Sequence, residues 1–484
     1  MIELLSADNI FLLKCPESGQ SRIRQSAVLS EIDLVQSVFD SKLFLQTFQV
    51  DSKEYFNLFE LNMAINTYED MYSRIRWGEI RNQILLFLLS FIAMAIYFIK
   101  DNYSIQFPEP YVNELVRNRL GSQGLFPLKD VNCIVTGSTS GLGKEISSEL
   151  YRLGATVIMT ARNNMKGKEI ESEIKSEHPS SIGKLIIGTL DTSDLVSVKN
   201  FASWYQHKVG SLDFLINNAG INYINTPVDY LKNTSEPAIS RDGFDLAFAT
   251  NYFGHFLLTE LLLPSLKDKG KVSTARIVNV ASTFHGQVDG SYLRPGKNGE
   301  YPLAARADRF SKRSSDILHQ RNIAYGNNKL AQVLHAKELQ RILDINPSNR
   351  RIEIVSTCPG FTSTNIFKDD LLGNFIRARA FNAKAGALAP ICSLFSSDVK
   401  GGEFVTNFYN FWASQSYSPA LFKFLSFLGI RHIASLGLSL YILLYQGNSY
   451  GCQISESSPE SHDSVLAKDL YNWSIKVLKE KKYL

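Results

Sequence analysis

Residues 131–143 read Val-Asn-Cys-Ile-Val-Thr-Gly-Ser-Thr-Ser-Gly-Leu-Gly, VNCIVTGSTSGLG. The opening VNCIVT is apolar and β-branched, as a strand buried on both faces must be. Gly137, Gly141 and Gly143 then punctuate a turn, and Leu142–Leu153 continues with helical character. A strand that turns on glycines into a helix brings main chain close to a pyrophosphate and aims the helix's positive end at it. A glycine-rich run alone is a weak signal; in this strand–turn–helix setting it is a strong one.

Outward from this loop the same alternation repeats. Candidate strands are 131–136, 156–161, 184–190, 213–217, 275–281, 351–357 and 402–407, with helical stretches such as Val196–Lys208 and Phe244–Leu266 between them. Alternating strands and helices imply parallel βαβ units, hence an α/β fold with a Rossmann-type doubly wound parallel sheet. The second strand ends in Met159-Thr160-Ala161-Arg162. A site for NAD usually offers an acid about twenty residues after the glycines, to hold the ribose 2′-hydroxyl. Here Arg162 stands instead, and a guanidinium suits a 2′-phosphate, which points to NADP(H). An exposed surface arginine is the bland alternative.

Four further residues carry candidate chemistry. Tyr325 and Lys329 lie in IAYGNNKLAQVL, and their i,i+4 spacing puts both on one helix face. A phenol titrates near pH 10, too high for easy proton transfer, and a neighbouring ammonium would lower it. Taken alone, this pair also fits an ordinary surface contact. Ser282 closes the strand RIVNVAS at the carboxyl edge, where ligands of such sheets bind, and its hydroxyl could hold a substrate oxygen; a strand-ending serine in a turn is the alternative. Asn251 sits in the apolar helix LAFATNYFGHFLL, where its amide needs partners. It could bond main chain and hold a relay water, or act as a polar plug.

Taken in order, TGSTSGLG, Asp191 in TLDTSD, NNAG at 217–220, Asn251, Ser282, Tyr325 with Lys329, and Cys358-Pro359-Gly360 with Thr364 resemble the short-chain dehydrogenase/reductase family over about residues 129–408. RIVNVAS, YGNNKLA and the RDGF before Asn251 look most like its retinol-dehydrogenase-like branch. The resemblance implies a catalytic set of Asn251, Ser282, Tyr325 and Lys329. It implies a cofactor set of Gly137, Ser138, Ser140, Gly141, Leu142, Gly143, Arg162, Asp191, Asn218, Ala219, Gly220, Tyr325, Lys329, Pro359, Gly360 and Thr364. Asp191 would contact the adenine side, Lys329 the nicotinamide ribose and Thr364 the carboxamide. Members of that branch often act on lipidic alcohols and carbonyls at membranes. Ala281 departs from a common serine, and the 222–240, 283–324 and 411–452 regions look expanded on the substrate side.

Composition excludes several classes. A net charge of +4 over 484 residues, without a basic run interleaved with aromatics, does not indicate nucleic acid. The eight histidines form no ligand-spaced cluster, so no metal is expected. The five cysteines are scattered with no C-x-x-C pair and read as reduced thiols. One run stands apart: Ile84–Ile99, ILLFLLSFIAMAIYFI, apolar on every face and uncharged. It reads as a membrane helix at 81–100, with a buried core helix as the alternative.

The expected organisation is a leader of unknown fold (1–80), a transmembrane helix (81–100), a linker (101–128), an NADP-binding domain (129–410), a hydrophobic insert (411–452) able to lie against membrane lipid or to wall the substrate pocket, and a C-terminal helix (453–484). The expected function is hydride transfer between NADP(H) and a hydrophobic lipid-, sterol- or retinoid-like alcohol or carbonyl, at the endoplasmic reticulum or a lipid droplet with the domain facing the cytosol. A 3-ketoacyl or 3-ketosphinganine-type reductase and a membrane NADP(H)-binding scaffold are the rivals. The family often forms dimers or tetramers, so a homo-oligomer is allowed.

Overall fold

The computed structural model describes residues 4–7, 10–13, 109–121, 124–222, 239–268, 270, 272–294, 314–348, 350–360, 362, 382–406, 453–455 and 457–484. The chain separates into two compact units, Met1–Phe91 and Ile92–Leu484. In the first, β1 (Leu4–Ala7) and β2 (Ile10–Leu13) form an antiparallel hairpin, with Leu4 opposite Leu13 and Ala7 opposite Ile10.

The second unit opens with α1 (Glu109–Leu120). The alternating pattern follows: β3 (Asn132–Val135), α2 (Gly141–Arg152), β4 (Thr156–Ala161), α3 (Asn164–Glu177), β5 (Lys184–Thr189), α4 (Leu195–Lys208) and β6 (Phe214–Asn217). A helical turn at Leu246–Phe248 and a π-helical turn at Ala249–Phe253 lead into α5 (Gly254–Lys267). Then come β7 (Thr274–Val280), α6 (Ser314–Ile345), β8 (Arg351–Cys358), a short turn, α7 (Leu388–Phe395), β9 (Phe404–Thr406), β10 (Gln453–Ser455) and α8 (Ser464–Glu480).

The sheet order is β10-β9-β8-β7-β6-β3-β4-β5. Seven strands run parallel, and β10 pairs antiparallel with β9 at the edge. The doubly wound sheet expected from the alternation is therefore present, with one strand added. Two apolar layers cover it. One packs α4, α5, α6 and α8 around Phe201, Phe248, Phe256 and Leu334. The other packs α1, α2, α3 and α7 around Val116, Ile146, Ile174 and Ile391. Strand order reverses between β3 and β6, the crevice where such sheets bind ligands.

Two buried arginines tie the layers. Arg350 pairs with Asp213 and donates to the carbonyls of Leu212 at 2.8 Å and Val272 at 3.0 Å. Arg276, 1% exposed, pairs with Glu353 at 2.7 Å and donates to the carbonyls of Ser393, Ser396 and Val399. Arg119 from α1 reaches the same carboxylate at 3.6 Å.

Among the described residues no helix is long and apolar enough to cross a membrane. The expected membrane helix at 81–100 and the hydrophobic insert at 411–452 lie outside the described residues. The expectation of reduced thiols holds at Cys133 and Cys358, both buried and free. It fails at Cys392 on α7, which is disulfide-bonded; scattered spacing in sequence says nothing of which thiols a fold brings together.

Candidate functional site

Four carboxyl-edge loops converge beside the reversal of strand order, following β3, β6, β7 and β8. The first is the glycine loop. Gly137 has φ +68° and Gly141 φ +50°, backbone that L side chains rarely adopt. A Cβ on Gly143 would lie 2.2 Å from the Gly137 carbonyl oxygen and 2.6 Å from the Asn218 amide nitrogen, so only glycine lets α2 start this close. Ser140 caps α2 without a side-chain bond to its amides, leaving the positive end of a twelve-residue helix open to an anion. Leu142 is nearly buried. Ser138 is fully buried, and its hydroxyl donates to Val135 O and accepts from Thr160 N, which ties the loop to β4.

Thr136 organises the second loop. Its hydroxyl oxygen accepts from Asn218 N at 2.8 Å and Ala219 N at 2.9 Å, and the Asn218 side chain donates back to Thr136 O at 2.8 Å. The same hydroxyl lies 2.9 Å from His255 Nε2. His255 Nδ1 lies 3.0 Å from Asn251 O, and because a carbonyl only accepts, Nδ1 carries the proton and Nε2 accepts from Thr136. Burial pushes the His255 pKa down to about 4, keeping it neutral.

Asn251 sits in the π-helical turn, an arrangement that re-aims one side chain of a helix and recurs at functional sites. Its Oδ1 accepts from Ile221 N at 2.8 Å and its Nδ2 donates to Ile221 O at 2.8 Å, which pins the chain just after Gly220. The amide thus finds its partners in main chain. A Cβ on Gly220 would lie 3.3 Å from Asn251 Oδ1 and 3.9 Å from Lys329 Nζ, so both side chains close on that glycine.

Tyr325 and Lys329 share α6 as their spacing implied. Lys329 is 4% exposed and donates to Val280 O at 2.8 Å and Gln332 Oε1 at 2.9 Å, its Nζ lying 5.6 Å from the Tyr325 ring centroid. Burial lowers its pKa to about 8, partly offset by the Cys358 thiol. The Tyr325 ring packs edge-on against Phe284, and its hydroxyl bonds Ser282. Burial and the Cys358 thiol push the phenol's pKa up, and the Ser282 bond opposes them. Ser282 lies just past β7 and caps the turn Thr283–Gln287. The local-turn reading and the site reading of this serine are therefore compatible.

The remaining predicted residues flank this centre. Arg162 is exposed just past β4, on the side of the glycine loop, and Asp191 begins the turn after β5 with its carboxylate accepting from Ser193 N at 2.9 Å and Ser193 Oγ at 2.7 Å. Pro359 and Gly360, the latter with φ +80°, follow β8. Thr364 lies outside the described residues. The open helix end, the glycine cradle and the exposed arginine at its flank fit a phosphorylated dinucleotide laid along the carboxyl edge. Among the described residues no group of His, Cys, Asp or Glu is placed to hold a metal ion.

Thr136, His255 and Gln332 belong to this site and are missing from the sequence-derived set. His255 lies four residues after Asn251 and Gln332 three after Lys329, so helical spacing alone would have placed both beside residues already named.

Comparison with known proteins bears on the same region. A family model described as short chain dehydrogenase matches residues 132–291. A short-chain dehydrogenase TIC 32 B, chloroplastic, of Brassica napus is 32% identical over 288 residues, 58% of this chain and 81% of that protein. Retinol dehydrogenase 14 of Homo sapiens is 33% identical over 272 residues, 54% of this chain and 69% of that protein. Polyprenol dehydrogenase of Homo sapiens is 32% identical over 243 residues, 50% of this chain and 64% of that protein, so the chain spans somewhat under two thirds of its length.

Proposed function

The chain belongs to the short-chain dehydrogenase family and is an oxidoreductase, and from that premise we propose that it transfers hydride between NADP(H) and a hydrophobic alcohol or carbonyl while attached to a membrane. The observation that carries this reading is the convergence of Tyr325, Ser282, Lys329 and Asn251 beside the glycine loop. Arg162, standing where an acid would hold a 2′-hydroxyl, supports the phosphorylated cofactor.

NADP(H), when bound, supplies the hydride donor or acceptor. The chain's own residues handle the oxygen and its proton. In the reductive direction the Tyr325 hydroxyl gives its proton to the carbonyl oxygen, and in the oxidative direction it takes one from the alcohol. Ser282 shares that oxygen and orients it. Lys329 keeps an ammonium beside the phenol and would hold the ribose of a bound cofactor. Asn251 fixes the chain just after Gly220, through its paired bonds to Ile221.

The substrate class rests on two supports. Two relatives are named as dehydrogenases of retinol and of polyprenol, both long apolar alcohols. The sequence also carries the uncharged run Ile84–Ile99, whose length suits a tilted or thinned span. Attachment to the endoplasmic reticulum with the domain facing the cytosol is part of the same proposal.

One preparation tests the reading. The full chain, expressed in cells, should stay with membranes through an alkaline carbonate wash. After detergent extraction it should bind NADPH more tightly than NADH, and Arg162→Ala should weaken NADPH by roughly tenfold or more, the scale of one charge-assisted contact of about 1.5–3 kcal/mol. Release by the wash would remove the membrane tether. Equal affinity for the two nucleotides, unmoved by Arg162→Ala, would remove the assignment of NADP(H).

A further inference from the structure

Lys329 carries its amine into the interior, and among the described residues no carboxylate pairs with it. Among the described residues, the groups that face it are Tyr325 and Gln332 from its own helix, Val280 O from β7, Cys358 from β8, and His255 and Asn251 from the α5 side. Its two hydrogen-bond acceptors among these are both neutral: a backbone carbonyl at 2.8 Å and the Gln332 side-chain carbonyl at 2.9 Å.

Gln332 is itself held in place. It is 2% exposed. Its main-chain carbonyl accepts from Asn279 Nδ2 at 3.0 Å, and Asn279 in turn accepts from Asn217 Nδ2 at 2.9 Å. Asn279 and Val280 are consecutive on β7, so one strand fixes both the glutamine and the lysine it serves. The Gln332 Nε2 finds no acceptor among the described residues. A buried amide that leaves its own donor unsatisfied at a cost of about 1–3 kcal/mol is retained against that cost. An acceptor for the neighbouring cation explains which half of the amide is needed.

We propose that Gln332 is a positioning residue for Lys329: its neutral carbonyl aims the ammonium at Gly220 and the cofactor edge, and its lack of charge sets how readily that ammonium gives up its proton. The inference rests on reading Lys329 as the cofactor-ribose ligand. A carboxylate at the same position would hold the lysine charged far above neutral pH. A hydrocarbon there would leave only Val280 O, and burial would then strip the proton sooner. The amide sits between, and the lysine's pKa of about 8 accords with that.

The test is nucleotide affinity against pH, read as NADPH quenching of tryptophan fluorescence by the full chain in detergent, for wild type, Gln332→Glu and Gln332→Met. Wild-type affinity should fall as pH rises through about 8. In Gln332→Glu that midpoint should rise by about one unit or more, and in Gln332→Met it should fall, the scale of adding or removing a partner within ~4 Å. Should Gln332→Met fail to fold, the upward shift in Gln332→Glu still decides. Variants that lose thermal stability but keep the wild-type midpoint would reduce Gln332 to a packing residue and overturn the proposal. Wild type that binds no nucleotide at any pH would overturn the cofactor reading and this inference with it, whereas binding with unmoved midpoints overturns this inference alone.

Discussion

Tyr325 is poised as an acid more than as a base: burial and the Cys358 thiol raise its pKa, and only the Ser282 bond pulls it down. A phenol in that state keeps its proton at neutral pH and delivers it to an oxygen that is gaining charge. The expected outcome for Tyr325→Phe is a loss of turnover by roughly 10²–10⁴, with NADPH affinity and melting temperature close to wild type, measured on any carbonyl the wild type reduces. Retained turnover would mean that Ser282 or a water supplies the proton. Residues of this kind were legible in the sequence because their chemistry is tied to spacing: Tyr325 to Lys329, Asn251 to its apolar helix, Ser282 to a strand end. Thr136 was not, because its bonds to Asn218, Ala219 and His255 span some eighty residues or more, whereas His255 and Gln332 lay within helical reach of Asn251 and Lys329 and were passed over. His255 also shows how a buried histidine stays out of acid–base chemistry, since both ring nitrogens are committed and burial keeps it neutral.

At the scale of elements, the parallel strands were readable from composition, for buried strands need continuous apolar runs. β4 spans Thr156–Ala161, the stretch the sequence marks. The stretch Phe244–Leu266 reads as one helix, yet the structure divides it into a turn, a π-helical turn and α5. Apolar residues fill both sides there, so no change in period reports the extra residue that re-aims Asn251. β10 was missed because three residues carry too little pattern, and its partner β9 lies far back along the chain. Ion pairing between elements was equally silent in sequence. Arg276 on β7 and Glu353 on β8 pair at 2.7 Å with almost no exposure, and the arginine's other protons go to carbonyls in the last turn of α7 and just after it. Glu353→Ala leaves that guanidinium buried beside Arg119 without its counter-charge, and should cost about 3–5 kcal/mol. The denaturant midpoint of the full chain would read this directly, and a change under 1 kcal/mol would show that the carbonyls alone satisfy the arginine.

Across the whole molecule, the C-terminal segment closes one face of the sheet. α8 lays Leu466, Leu470 and Leu478 into the core, and Tyr252 meets Ser474 at 2.9 Å. Just before α8, Ser458 N donates to His285 Nε2 at 3.0 Å, while His285 Nδ1 bonds Ser282 O. The end of the chain is thereby part of the scaffold that fixes Ser282. Between β9 and this closing segment the chain departs after Thr406 and rejoins at Gln453, and these two residues are ladder partners. Antiparallel partners sit about 5 Å apart, a gap that a turn of two to five residues spans. The edge of the sheet therefore closes on itself at this pair, with the chain leaving and returning at one place. Replacing residues 408–451 with a short Asn-Gly turn should preserve melting temperature and NADPH affinity, both measured on the full chain beside the shortened one. A collapse of the fold instead would show that the framework depends on those residues. Because departure and return share one strand pair at the sheet's edge, a change in the length of chain between them need not propagate into the framework, and the two are free to evolve apart.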